Sequence, residues 1–211
     1  MLRDLIVGPH QISFDITNKC NLRCLHCYNS SGENLASQNE LTDQEVLDFI
    51  DEFKSIKLLN FCFCGGEPLL RKELIVEAAK RLRTYGCENV AMVSNGILMT
   101  DEVIEELINA GVTRIQISLD GIKAESHDRI RNKKGVYEKA TRAIEALVKH
   151  GVDTAVAFTP TSFNISELRA VRDYLHTVGI SGTSLRVQPL MIMGRASQNV
   201  KAIEATNDQY R

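Results

Sequence analysis

A chain of 211 residues is long enough for one large domain or two small ones, and for a substantial buried core. Hydrophobic residues at 44% and charged residues at 25% lie near globular averages, and 4 prolines with 13 glycines leave little room for low-complexity linkers, so fibrous and disordered classes are excluded. The net charge of -2 provides no field to condense onto a phosphate backbone, which argues against nucleic acid as a partner. No apolar run approaches the roughly 20 residues of a membrane span. The opening MLRDLIVGPHQ lacks a basic segment followed by an apolar stretch, so a cytoplasmic protein with no membrane partner is expected.

In chain order, β-type segments at 11–17, 58–64, 89–94, 113–119, 153–159 and 183–189 alternate with segments of helical spacing. The helical stripes are Val46, Leu47, Phe49, Ile50 and Phe53, then Leu74, Ile75, Ala78, Ala79 and Leu82, then Val103, Ile104, Leu107 and Ile108. Ala140, Ala143, Ile144, Leu147 and Val148 form a fourth, and Leu168, Val171, Leu175 and Val178 a fifth. Thr42 with Glu45, Asn164 with Glu167, and Thr100 before Asp101 and Glu102 are expected to cap helix starts. Gly86, Gly111, Gly151 and Gly179 stand where four helices should stop in a left-handed residue.

Strand–helix alternation of this kind predicts parallel strands joined by right-handed crossovers. In 113–120, Ile115, Ile117 and Leu119 share one face while Arg114, Gln116, Ser118 and Asp120 share the other. The first strand opposes Ile12, Phe14 and Ile16 to Gln11, Ser13, Asp15 and Thr17, and the last opposes Leu185 and Val187 to Ser184, Arg186 and Gln188. A flat sheet covered by helices on both sides would be apolar on both faces, and a closed eight-strand barrel would fill its lumen with branched apolar side chains. The expected class is therefore α/β, an open partial (β/α)6 barrel of parallel strands with helices outside and a polar lumen. A half-exposed antiparallel sheet is the alternative.

Cys20, Cys24 and Cys27 form a C-x3-C-x2-C pattern in a loop of roughly 24 residues between the first strand and the first helix, and loops of that length are usually functional. In a reducing compartment such thiols are free, and three of them converge readily on a soft metal centre. A four-iron cluster held by three thiolates keeps one iron open for chemistry. Structural zinc is a second reading, although zinc usually draws its ligands in two pairs, and His26, placed between Cys24 and Cys27, does not join the same tetrahedron easily. A third reading is an electron carrier that recruits Cys62 or Cys64 as fourth ligand.

With these residues the sequence resembles the radical S-adenosylmethionine (SAM) superfamily from about residue 10 to 197, whose signature is C-x3-C-x-Φ-C with His26 here at Φ. The resemblance implies that Cys20, Cys24 and Cys27 ligate a [4Fe–4S] cluster and that SAM chelates the fourth iron. Reductive cleavage of SAM then gives a 5′-deoxyadenosyl radical that abstracts hydrogen from substrate, the protein supplying orientation and shielding. Gly65-Gly66-Glu67-Pro68 looks like the family motif that holds the SAM amine, and Ser94-Asn95-Gly96 like its T/S-N-G turn, which makes Asn95 a cofactor contact. Ser118-Leu119-Asp120-Gly121 suggests that Ser118 meets the SAM ribose or carboxylate, with Asp120 beside it. His127-Asp128-Arg129-Ile130-Arg131 resembles an H-D-x-x-R segment whose Arg131 would pair with the SAM carboxylate. Gln188-Pro189-Leu190 through Gly194-Arg195-Ala196 resembles the P-x-GRA ending of the SPASM- and twitch-bearing branch, with Leu190 an adenine contact.

All these motifs end strands, so one rim of the barrel should collect them. The same likeness implies a peptide or protein substrate and an external electron donor such as flavodoxin or ferredoxin. Residues 1–197 are expected to form the core domain, and 198–211 a C-terminal helix or the start of a shortened extension. Met92, Met99, Met191 and Met193 are expected to pack, His10, His150 and His176 to lie at the surface, and Cys62 and Cys64 to face the lumen as inert thiols.

Overall fold

The computed structural model describes residues 8–33 and 39–209. Six strands, β1 (Gln11–Thr17), β2 (Asn60–Gly65), β3 (Asn89–Ser94), β4 (Arg114–Ser118), β5 (Asp153–Phe158) and β6 (Leu185–Val187), form one sheet in sequence order. Every neighbouring pair is parallel. The expected strands are present, although the sixth is three residues long where seven were expected.

The helices are α1 (Asp43–Asp51), α2 (Lys72–Thr84), α3 (Asp101–Asn109), α4 (Ala124–Arg131), α5 (Val136–Lys149), α6 (Leu168–Thr177) and α7 (Gly194–Ile203). Thr42 and Glu45 form a reciprocal capping box on α1, and the Thr100 hydroxyl accepts from Val103 N–H at the start of α3. Gly86, Gly111, Gly151 and Gly179 all take positive φ where their helices stop.

Three expectations change. Asn164 does not cap α6, because its side chain is spent on the turn before it: the amide donates to the carbonyls of Asp120 and Thr159, and its oxygen accepts from Thr161. A short 3-10 turn, Ile165–Glu167, stands between it and the helix. The terminal helix runs Gly194–Ile203 rather than 198–211, so position 197 lies inside it, and residues 210 and 211 fall outside the described residues. Helix α4 carries no apolar stripe to betray it, since the residues it buries are Ser126, His127, Ile130 and Arg131.

One sheet face packs under the helices and is mainly apolar, with Phe61, Phe63, Met92, Ile115, Ile117, Val156 and Phe158 fully buried and Ser94 and Thr154 as buried polar members. At its β1–β2 end Phe14, Phe49, Phe53 and Phe61 form a ring cluster, with Phe14 and Phe49 stacked at 5.1 Å between centroids. The other face belongs to a cavity of about 610 Å³ lined from every strand: Ser13, Cys64, Val93, Gln116, Ala157 and Arg186 all reach it. A sheet whose six strands line one chamber is curved around it, which is the expected open barrel. Its lumen is mixed rather than polar, because Cys62, Cys64, Val93 and Ala157 face it beside Ser13, Gln116 and Arg186. Among the described residues no helix is long and apolar enough to cross a membrane.

Candidate active site

The β1–α1 loop sits across the mouth of this chamber, and its three cysteines all line it. Their fixation starts at the backbone. Gly66 N–H donates to the Thr17 carbonyl at 2.8 Å and Glu67 N–H to the Lys19 carbonyl at 2.9 Å, so the β2 turn runs alongside the start of the cysteine loop. A Cβ on Gly65 or Gly66 would overlap those same carbonyl oxygens, so only glycine allows the two segments to approach this closely.

Two helices grip the far side of the loop. Leu25 N–H donates to the Ile130 carbonyl of α4 at 2.9 Å. From α7, buried Arg195 donates Nε–H to the Cys24 carbonyl at 3.1 Å, both guanidinium NH2 groups to the Ser31 carbonyl, and pairs with Glu33 at 2.9 Å. Ala196 N–H reaches the Cys27 carbonyl at 3.3 Å, and Asn199 the Leu25 carbonyl at 3.4 Å. The G-R-A segment thus holds the backbone of the cysteine loop.

All six cysteines are free thiols. Burial pushes the Cys20 thiol up to about 11 and raises Cys24 as well, while the Arg131 guanidinium, 3.8 Å from Cys24 Sγ, pulls Cys24 back. Arg131 in turn meets Asp120 at 2.5 Å, and His26 Nε2 stands 3.5 Å from the same carboxylate. Burial would protonate Asp120; Arg131 and then the two histidines hold it below the ordinary carboxylate range, and Thr159 N–H donates to it at 2.9 Å. His26 and His127 are both lowered to about 4, chiefly by burial. His127 Nδ1 accepts from Asp120 N–H at 3.0 Å, which fixes its proton on Nε2.

Of the residues singled out from the sequence, Cys20, Cys24, Cys27, His26, Gly65, Gly66, Asn95, Ser118 and Arg131 line the chamber. Glu67, Pro68, Asp120 and Leu190 are not among its lining residues. Glu67 is fully buried and its carboxylate accepts from Leu69 N–H, Ser94 Oγ–H and Asn95 N–H, tying the β2 turn to the β3 turn. Asn95 donates to the Asn21 side chain at 2.7 Å, inside the cysteine loop. Met92 and Met99 pack as expected, whereas Met191 and Met193 are more than half exposed, in a short segment that the small β6 leaves outside the core. The structural weight of Arg195 and Glu67 was not foreseen, because buried polar side chains leave no periodic trace in a sequence.

Among the described residues, no three of His, Cys, Asp and Glu close around a single metal ion. Three free thiols that line one chamber, with a buried cation beside Cys24, have the donor chemistry of an iron–sulfur cluster held by cysteine. The residues present therefore fit a [4Fe–4S] group held by Cys20, Cys24 and Cys27.

The chain belongs to the radical SAM superfamily, which residues 14–175 match. Members of that superfamily use a [4Fe–4S] cluster and S-adenosylmethionine. Among curated relatives, the chain is 36% identical over 164 residues to an AdoMet-dependent heme synthase of Methanosarcina barkeri, covering 76% of this chain and 45% of that protein. It is 31% identical over 207 residues to the mycofactocin maturase MftC of Mycolicibacterium smegmatis, covering 97% of this chain and 50% of that one. The chain thus spans about half the length of the curated relatives it matches. Among solved structures, Streptococcus suis SuiB bound to S-adenosylmethionine superposes with a TM-score of 0.74 at 13% identity, over 89% of this chain and 42% of that one, a likeness of fold.

Proposed function

We propose that this chain is the SAM-cleaving core of a radical enzyme that modifies a peptide or protein. The observation that carries the reading is the meeting of three free thiols with a chamber lined from all six strands. When bound, the cluster and SAM supply a 5′-deoxyadenosyl radical able to take hydrogen from an unactivated carbon. The chain's own groups bind and orient. Gly65 and Gly66 expose backbone next to the cysteines for the SAM amine, and Asn95 and Ser118 offer an amide and a hydroxyl to its ribose or carboxylate. Leu190, outside the chamber lining, keeps an adenine role only through the family likeness of the segment that carries it. Glu67 and Pro68 act indirectly, by holding the turn that carries the glycines. The electron comes from an external donor such as flavodoxin or ferredoxin, in a cytoplasmic setting.

A peptide is favoured by the polar groups of the lumen, where Gln11, Ser13, Gln116, Arg186 and Gln188 offer hydrogen bonds to amides beside apolar surface for side chains, and by the near-complete coverage against MftC. The higher identity to the heme synthase favours a tetrapyrrole. Anaerobic reconstitution followed by SAM and dithionite tests the core reading, with release of 5′-deoxyadenosine expected. Absence of release from an iron-loaded protein would overturn it. Incubation with the product of a short reading frame beside the gene separates the substrates: a mass change on that peptide supports the proposal, and turnover of an iron porphyrin instead would contradict it.

A further inference from the structure

Of the three thiols on the chamber wall, Cys24 is the most deeply buried, and it alone has a cation at its sulfur among the contacts described above. That cation is Arg131, itself buried and held in place from two directions. Asp120, at the end of β4, pairs with one terminal nitrogen at 2.5 Å, and the last turn of α4 is fastened to the cysteine loop by the Leu25–Ile130 backbone bond. The other terminal nitrogen points to Cys24 Sγ at 3.8 Å, and Arg131 Nε is buried without a partner. The guanidinium is therefore already engaged by two anionic or polarisable groups, and both belong to the protein.

We infer that Arg131, oriented by Asp120, is a positioning residue for the cluster: it acts on the Cys24 thiolate and raises the reduction potential of the bound [4Fe–4S] group, instead of serving as the anchor for the SAM carboxylate. This rests on the proposed cluster. A positive charge and an N–H donor at a ligating sulfur stabilise the more negative, reduced state, because net charge and hydrogen bonds to the sulfurs are among the main determinants of such potentials. Asp120 weakens the effect without cancelling it, since its carboxylate is not in contact with the sulfur while the guanidinium is. The asymmetry lies among the thiols themselves: among the described residues, Cys20 Sγ takes a backbone N–H, from Leu22 at 3.4 Å, and no side-chain cation.

The test is an EPR-monitored redox titration of the reconstituted protein without SAM, comparing wild type with Arg131→Gln and with the double variant Asp120→Asn/Arg131→Gln. The double variant leaves no unpaired buried carboxylate and so protects the fold. At the wild-type midpoint the reduced-to-oxidised ratio should fall about tenfold in the double variant, which for one electron is about 59 mV. SAM affinity by equilibrium dialysis should stay within about threefold, under 1 kcal/mol. An unchanged midpoint in an iron-loaded double variant would overturn the inference alone. A wild-type protein that binds no iron would overturn the proposed function and this inference with it.

Discussion

The molecule carries two groups of thiols on the same chamber, and their surroundings could hardly differ more. Cys20, Cys24 and Cys27 sit in an irregular loop whose carbonyls are taken up by Arg195 and Asn199 and whose deepest sulfur meets Arg131. Cys62 and Cys64 sit on a regular strand, point to the same lumen, and have their sulfurs 3.5 Å apart. Each of that pair depends mainly on the other: the shared contact lowers Cys62 and raises Cys64. Chemical type and access to the cavity are therefore common to both groups. What distinguishes the proposed ligand set is a dedicated scaffold that fixes loop backbone and supplies charge.

Four substitutions or conditions can break that contrast. The largest effect belongs to Cys24→Ala, which should abolish both the brown colour and SAM cleavage after anaerobic reconstitution; retained cleavage would remove Cys24 from the ligand set. Next comes Arg195→Ala. It removes donors to the Cys24 and Ser31 carbonyls and leaves them buried, so urea unfolding should show a loss of about 3 kcal/mol and iron analysis a partly filled site. Full occupancy and unchanged stability would mean that α7 is incidental to the loop.

The third concerns pH. His127 is lowered to about 4 in the fold and titrates near 6.5 when unfolded, so between these values the unfolded chain binds the extra proton and stability rises with pH. Lowering the pH from 7 to 5 should cost roughly 2 kcal/mol through this residue. Urea midpoints for His127→Gln should accordingly change less over that interval than those of wild type, and parallel curves would dismiss the assignment. The smallest effect is expected from Cys62→Ser and Cys64→Ser, which should leave iron content intact and change stability by about 1 kcal/mol or less. A loss of iron in either would erase the distinction between the two groups.

Much of this was readable beforehand, and the reasons are physical. The strands and five of the helices announce themselves because each buries one apolar stripe, and Thr42 and the four C-terminal glycines mark boundaries through local backbone chemistry. The cysteine pattern and the strand-end motifs are likewise local. Helix α4 escaped notice because it buries His127 and Arg131 in place of leucines, and Asn164 misled because its amide serves a turn and not a helix end. The partners of Arg131, Asp120 and Arg195 join segments up to 171 positions apart, and no spacing within one segment encodes such contacts.

The central claim is that Cys20, Cys24 and Cys27 together hold an iron–sulfur cluster at the rim of the chamber. Metal and acid-labile sulfide analysis of anoxically purified, reconstituted protein addresses it most directly. The account predicts about four irons and four sulfides per chain. A colourless protein carrying one tightly bound zinc and no sulfide would contradict it.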